Sequence, residues 1–229
     1  FKEDNGREII EYVKDRHASK IGFKADGSAQ IPYPKYGMQA NNAIDITAPA
    51  YTYLLGSHIC YGESKMGGVT SGAAPFVTGV IGLIWSENYC LSSYEVESIL
   101  KLSSEEIENL EGNTRYRGKL GAGRVNAYRA VKMARETKEL FGNVEVSNRD
   151  MYRYHYRLEN APYNITVKNQ TFRDSASVRF KARNAIYLKP GTTLRPDKTS
   201  RMTFKIDATT PTGECFPEPP KAYERLYKK

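Results

Sequence analysis

The 229-residue chain has little cysteine, little histidine and no long apolar run. Its three cysteines, Cys60, Cys90 and Cys215, form neither a C-x-x-C motif nor a metal-ligand spacing, and their odd number excludes a fully paired disulfide framework within one chain. A Cys60–Cys90 disulfide and buried thiols both fit the sequence. No window reaches the roughly 18 apolar residues of a membrane-spanning helix, so we predict no membrane span. The chain starts at Phe1 without a leader pattern, which predicts a segment of a longer protein.

Formal charge is distributed unevenly along the chain. Residues 1–148 contain 17 Lys and Arg against 18 Asp and Glu, whereas residues 149–229 contain 17 against 8 and therefore carry +9. A composition shift of this kind predicts a domain boundary. The basic side chains are dispersed among strand-like residues, which favours a solvated face, and we predict no nucleic-acid partner.

The apolar stretch after residue 70 predicts a helix from about Ser71 to Ser86. One face carries apolar residues at helical spacing: Val77, Val80, Ile81, Ile84 and Trp85. The other face carries Ala73, Ala74, Gly79 and Gly82. Charge is absent until Glu87, so we expect protein on all sides of this helix. Ser71 would lie at the positive end of the helix dipole, where free N–H groups stabilise negative charge, although a plain N-cap is the commonest role of such a serine.

The residues around Ser71 resemble the catalytic-serine block of the subtilisin-like serine proteases, the subtilases. The sequence Thr70-Ser71-x-Ala73-x-Pro75-x-Val77-x-Gly79 matches the family pattern G-T-S-M-A-x-P-x-V-A-G, with Val69 in place of a glycine and Gly72 in place of the methionine. Other family blocks follow the expected order: YPKYG at 33–37, AIDITAP at 43–49 and GKLGAGRVN at 118–126. The resemblance covers roughly residues 1–138. It implies an α/β fold, the C-terminal part of a three-layer domain with a parallel sheet, which we place at residues 1–141.

The same resemblance implies a serine endopeptidase in which Ser71 attacks polypeptide substrates and forms an acyl-enzyme. It places the oxyanion-hole amide at Asn5 or Asp4, although an ordinary Asp-Asn-Gly turn explains those residues as well. The chain has three histidines, His17, His58 and His155. None stands in the family's H-G-T-H context, and no D-T-G block occurs. The triad Asp and His would therefore belong to a missing N-terminal part of the same protease, and this segment alone should be inactive; His58 is the one local alternative base.

No cofactor or metal site is identifiable from the residues, and the resemblance leaves calcium open as a family cofactor. The departures from the family pattern at Val69 and Asp4 keep a second function open. In that alternative the chain is a non-catalytic secreted binding or surface protein on a degenerate subtilase scaffold.

From residue 142 the apolar pattern changes to alternation, with turn signals at Pro190-Gly191 and Pro196-Asp197. Short strands at such spacing predict a small antiparallel β-domain, a β-sandwich-like module over residues 142–208. Residues 180–206 resemble C-terminal β-modules of secreted proteins from Bacteroidetes-type bacteria, which implies a secreted or cell-surface location. A glycan-binding role for this module is a further hypothesis. Residues 209–229 are rich in proline and charge and predict a flexible tail.

Overall fold

The computed structural model describes residues 70–110 and 113–209, together with short segments nearer the start of the chain. Those segments are 10–13, 17–20, 22–23, 29–30, 38–39, 43–49, 52–54 and 64–66. The chain forms two compact units: unit 1 comprises residues 1–79 and 104–125, and unit 2 comprises residues 80–103 and 126–229. The predicted domain boundary at residues 141 and 142 stays a prediction, and the predicted tail lies outside the described residues except for Thr209.

Unit 1 contains seven short strands within its described residues. They are β1 (Ile10–Val13), β2 (His17–Lys20), β3 (Gly22–Phe23), β4 (Ala29–Gln30), β5 (Met38–Gln39), β6 (Thr52–Leu54) and β7 (Ser64–Met66). These strands pair antiparallel, in the orders β1-β2-β5, β3-β4 and β6-β7. A 3₁₀ turn at Thr114–Tyr116 follows later in the chain.

Helix α1 (Thr70–Glu87) confirms the helix predicted at Ser71–Ser86, with one more residue at each end. On the predicted apolar face, the side chain of Ile84 is fully buried, at 0% exposure. The expectation of protein on all sides is wrong for the described part of the helix. Phe76 and Leu83 are 43% and 52% exposed, and a Cβ added at Gly79 would meet no atom within 4 Å. Absence of charge allows a helix to be buried, but it does not supply the neighbour that buries it.

Two further helices of unit 2 begin at the side-chain caps that the sequence predicts. Helix α2 (Ser93–Leu102) starts with a capping box, in which the Glu95 N–H donates to Ser92 Oγ at 3.3 Å and the Ser92 N–H donates to Glu95 Oε2 at 3.0 Å. Helix α3 (Ala127–Lys138) starts at Asn126, whose Oδ1 accepts the Arg129 N–H at 2.9 Å. Ala130 and Ala134 of α3 are fully buried, as their helical spacing predicts.

Nine strands follow α3 and form three parallel sheets. They are β8 (Asn143–Ser147), β9 (Asp150–Met151), β10 (His155–Leu158), β11 (Asn164–Lys168), β12 (Thr171–Asp174), β13 (Ser177–Ala182), β14 (Ala185–Leu188), β15 (Thr193–Pro196) and β16 (Met202–Ile206). The sheets have the orders β8-β11-β14, β9-β12-β15 and β10-β13-β16. Each sheet therefore takes one strand from each of three successive turns, and the chain winds into a three-turn parallel β-solenoid. Together with the helices, these parallel sheets confirm the α/β class.

The predicted antiparallel, sandwich-like pairing is wrong for these residues, because all six strand pairs are parallel. Alternation shows which side chains face inward, and it is the same for both pairing directions. The missed signal is an internal repeat, since Val144, Ile165 and Ile186 follow one another at 21-residue intervals and pair in register. A left-handed residue recurs at one corner of each turn, at Asn148, Asn169 and Gly191, with φ of 62°, 46° and 78°.

The interior of the solenoid is apolar and stacked from turn to turn. Tyr156, Phe172 and Phe180 are at most 1% exposed. Their rings lie 5.5 and 6.1 Å apart, and Phe204 of the third turn lies 6.0 Å from Phe180. Helix α2 packs against the first turn, where the Arg157 N–H donates to Ser98 Oγ at 2.7 Å. No described helix is long and apolar enough to cross a membrane.

Candidate active site

Ser71 is the second residue of α1, so its backbone lies in the first helical turn. The N–H groups of a first turn have no partner within the helix and give that end a partial positive charge. No acidic residue of the first turn of α1 offsets this charge. Pro75 lies beyond the first turn, where its missing N–H leaves the Ser71 carbonyl without its usual helical donor. The Ser71 side chain lies outside the described residues, and its predicted role as nucleophile stays a prediction.

The two flanking blocks of the subtilase resemblance bind each other in unit 1. Thr47 donates its N–H to the Gly123 carbonyl and accepts the Val125 N–H, both at 2.8 Å. The Thr47 hydroxyl also donates to the Leu120 carbonyl at 2.7 Å. Gly121 lies so close to this segment that an added Cβ would be 2.6 Å from the backbone nitrogen of Ile46. Within residues 43–49 the β-pairing is a single parallel bridge between Thr47 and Arg124.

A second pairing fixes the 118–126 turn, and sequence reasoning missed it. Glu105 donates its N–H to the Arg124 carbonyl at 2.7 Å and accepts the Arg124 N–H at 2.9 Å. The two side chains also form an ion pair. Glu105, the first of the acidic residues that follow α2, is thus a structural residue. The pairing of an exposed Arg and Glu 19 positions apart leaves no periodic signal in the sequence.

The other predicted site residues are placed only in part. Asp4, Asn5 and Val69 lie outside the described residues, and so does His58. His17 lies on β2, and His155 is exposed on β10 of the solenoid. The structure therefore does not show the oxyanion-hole candidates or the local alternative base beside Ser71.

The described residues do not fit a calcium ion. No group of three or more His, Cys, Asp or Glu side chains within the described ranges could hold a metal. Calcium prefers six to eight oxygen ligands, with carboxylates prominent among them.

Cys90 follows α1 and is disulfide-bonded. The other two cysteines, Cys60 and Cys215, both lie outside the described residues. Next to it, the buried Asn88 accepts the Cys90 N–H at 3.1 Å and donates to Thr137 Oγ1 at 2.8 Å. Cys90 thus lies just after the end of helix α1, and Asn88 holds that end to helix α3.

An open groove of about 560 Å³ lies between the last turns of α1 and helix α3 in unit 2. Its apolar walls are Leu83, Ala127, Tyr128 and Val131, and its charged residues are Lys132, Arg135, Glu136 and Glu139. Burial raises the pKa of Glu136. Hydrogen bonds from Arg135 and Lys138 lower the pKa of the adjacent Glu87 to about 2. The groove is thus lined by four apolar and four charged residues, and the exposed Leu83 of α1 is one of the apolar ones.

Comparisons with known proteins bear on the first half of the chain. Residues 19–128 match the model of the subtilase family. Two curated proteins, each named a calcium-dependent protease, come from Trichormus variabilis and from a Nostoc species. Each is 41% identical to this chain over 70 residues, which are 29% of this chain and 11% of the relative. The chain thus covers about a tenth of the length of these relatives.

Proposed function

We propose that this chain, whose residues 19–128 match the subtilase family model, is the part of a serine endopeptidase that carries its nucleophile, Ser71. The observation that carries the proposal is the position of Ser71 in the first turn of α1. Free N–H groups and the helix dipole favour negative charge at that position, both on an alkoxide and on the oxyanion formed beside it. Polypeptides are the substrates.

In the proposed reaction the Ser71 hydroxyl oxygen attacks the peptide carbonyl carbon, and a histidine takes the hydroxyl proton. The histidine then returns this proton to the leaving amine, and the acyl-enzyme remains on Ser71. An Asn5 amide can donate a hydrogen bond to the oxyanion, whereas an ionised Asp4 carboxylate cannot. A triad aspartate orients the histidine, and both groups come from a further part of the protease that precedes this segment.

The exposed face of α1 supports the idea that further polypeptide packs on this segment. Phe76, Gly79 and Leu83 recur at positions i, i+3 and i+7, so they share one side of the helix. Two of them are large, apolar and at least 43% exposed. An apolar stripe of this kind on a serine-bearing helix is better explained by a covering segment than by contact with water.

A location outside the cytoplasm of a bacterium belongs to the same proposal. The disulfide at Cys90 supports it, because disulfides persist in secreted and cell-surface proteins and are rare in reducing compartments. Calcium would have to be held by residues outside the described part of the chain, since the described residues do not fit it.

A fluorophosphonate probe, which labels only activated serines, tests the proposal. We expect no labelling of the 229-residue chain alone, and labelling of the longer protein encoded by its complete reading frame. Ser71→Ala should abolish that labelling, together with casein hydrolysis. Ser86→Ala is the matched control, because it removes the same hydroxyl from an exposed position at the far end of the same helix.

Labelling that survives Ser71→Ala would show that Ser71 is not the nucleophile. A folded longer protein that the probe leaves unlabelled would instead favour a non-catalytic binding or surface protein on a subtilase scaffold. The replacement of a glycine by Val69, directly before Thr70-Ser71, is the feature that favours this second function.

A further inference from the structure

The solenoid carries a strong excess of positive charge. Residues 143–209 contain thirteen Lys and Arg against six Asp and Glu, a formal charge of +7. The parallel register places cations directly beside one another on successive turns. Arg173 pairs with Arg195, Arg157 with Arg179 and Lys181 with Lys205. Neighbouring strands lie about 4.8 Å apart, and a carboxylate offsets part of the repulsion in each pair: Asp150 beside Arg173, Glu159 beside Arg179, and Asp207 beside Lys181 and Lys205.

The inward-facing residues fix this register. Phe172 pairs with Leu194 directly beside Arg173 and Arg195, and a shift by one residue would turn Phe172 out of the core. The alternation only requires that the outward residues be polar. Neutral polar residues would meet that requirement equally well, so packing alone does not select cations at these positions.

Three of the exposed cations lie within seven residues of the third turn. Arg195 on β15 and Lys198 and Arg201 on the following corner are all exposed, and we call these three residues the third-turn patch. No carboxylate within the described part of the chain pairs with any of them. By contrast, Arg173 below them on the second turn is paired with Asp150 at 2.9 Å and with Asp174.

The two acidic residues of the third turn form their hydrogen bonds and ion pairs with residues outside the third-turn patch. Asp197 accepts the N–H groups of Thr199 and Ser200 at 2.7 and 2.8 Å, and these bonds lower its pKa. Asp207 pairs with Lys181 at 3.0 Å. Asp207 is thus paired away from the third-turn patch, whereas the ionised Asp197 lies between Arg195 and Lys198 in sequence and reduces the formal charge of residues 195–201 from +3 to +2.

The corner that carries the patch is held in place by hydrogen bonds. The Ser200 hydroxyl donates to the Asp174 carbonyl at 2.6 Å, and the Asp197 N–H donates to the same carbonyl at 3.0 Å. The Arg201 N–H donates to Ser177 Oγ at 3.2 Å. The backbone bearing Lys198 and Arg201 is thus fixed on the turn below, which reduces the entropy lost on binding.

An aromatic residue continues the same column of side chains. Tyr152 on the first turn follows Met151, which pairs with Phe172. Tyr152 is therefore the neighbour of Arg173 on the second turn. The Arg173 guanidinium lies 5.2 Å from the centre of the Tyr152 ring. Arg153 lies 5.6 Å from the same ring, so Tyr152 packs against two guanidinium groups and helps to hold Arg173 in place on the second turn.

We propose that the third-turn patch binds an anionic polysaccharide that bears carboxylate or sulfate groups. Three exposed cations on one hydrogen-bonded corner match a polymer with repeated negative charges. The disulfide at Cys90 favours a polysaccharide over a nucleic acid, because it indicates an oxidising compartment outside the cytosol. This site holds the protein on an anionic matrix or cell surface and does not depend on the chemistry of Ser71.

Binding of the 229-residue chain to dextran sulfate tests the proposal, with uncharged dextran and a double-stranded DNA of similar charge as comparisons. We expect binding to dextran sulfate at about 0.15 M salt that weakens as salt is raised. The triple variant Arg195→Gln, Lys198→Gln and Arg201→Gln should weaken it at least about tenfold, because three charge-assisted contacts are lost.

A second triple variant, Lys119→Gln, Arg129→Gln and Lys132→Gln, removes the same charge from exposed positions outside the solenoid. Its affinity should stay within about twofold of the unmodified chain, and circular dichroism should show both variants folded. Equal losses in the two variants would show that net charge alone acts, which overturns the site. Absence of binding to dextran sulfate, or tighter binding to DNA, overturns the proposal as well.

Discussion

Glu95 should be the most sensitive polar residue of unit 2. Its side chain, only 4% exposed, accepts hydrogen bonds from both sides. Oε2 accepts the Ser92 N–H at 3.0 Å and the Ser92 hydroxyl at 2.8 Å, which caps helix α2. Oε1 accepts the backbone N–H of Glu159 at 2.7 Å and that of Asn160, which lie just after β10. One carboxylate thus joins the start of α2 to the first turn of the solenoid.

Replacing this carboxylate leaves buried donors without an acceptor. Glu95→Ala removes the partner of three backbone N–H groups, and each unsatisfied group costs about 1–3 kcal/mol. Because a water molecule can enter part of the space, we expect a loss of about 3–5 kcal/mol in the free energy of unfolding. Glu95→Gln keeps one acceptor but turns an NH₂ group toward N–H donors, and should cost about 2 kcal/mol.

Urea unfolding followed by tryptophan fluorescence measures this loss. Trp85 is the only tryptophan of the chain, and its indole N–H donates to the Leu91 carbonyl at 2.9 Å within unit 2. Glu139→Gln is the matched control at an exposed carboxylate and should change stability by less than about 0.5 kcal/mol. A Glu95→Gln protein as stable as this control would refute the reasoning, and apolar packing alone would then hold α2 to the solenoid.

Three further outcomes follow from local geometry. Acid should destabilise the end of α1 as pH falls from about 4.5 towards 2, because Glu87 then takes up a proton and loses its ion pairs with Arg135 and Lys138. These partners are partly exposed, so the loss in the free energy of unfolding is about 1 kcal/mol. In the Glu87→Gln variant, the melting temperature should depend less on pH in that range. Gly191→Ala should cost about 1–3 kcal/mol in a denaturant titration, because φ is 78° and the added Cβ would lie 2.3 Å from an asparagine oxygen. Gly79→Ala should instead raise the melting temperature of this chain, since nothing lies within 4 Å and alanine is the better helix former by about 1 kcal/mol.

The helices were predictable because their signals are local. The periodic apolar residues of α1, the Ser92–Glu95 capping box and the Asn126 cap are all contained within a few positions of one another. Each signal describes bonds that the helix makes with its own residues. The structure adds the bonds to distant partners, such as Glu95 with the loop after β10, which no local pattern reports.

Strand pairing was not predictable from alternation alone. The inward positions of β8, β11 and β14 show the same alternation whether the neighbours run parallel or antiparallel. The 21-residue interval from Val144 to Ile165 and on to Ile186 carries the missing information, because equal intervals return the chain to the same sheet in the same direction. The interval was hidden by substitution, since only aliphatic character is kept at those positions.

The candidate active site was predictable as a sequence block but not as a geometry. Ser71 is placed by the helix that follows it, whereas the groups that would activate it are fixed by contacts distant in sequence. The one part of this scaffold that the structure shows in detail, Thr47 against Gly123 and Val125, joins two blocks about 75 positions apart. Only their order along the chain suggested that they meet.

The division between the two units falls within helix α1, whose residues up to Gly79 belong to unit 1 and those from Val80 onward to unit 2. In its last turns Ile84 is buried in the core, and Glu87 forms an ion pair with Arg135 of α3. A cut at the predicted boundary after residue 141 would remove the solenoid turn on which Ser98 and Glu95 depend for their partners. Helix α2 would then expose a buried carboxylate and its apolar face. The end of α1 from Val80 onward, helix α2, helix α3 and the solenoid therefore belong to one compact unit.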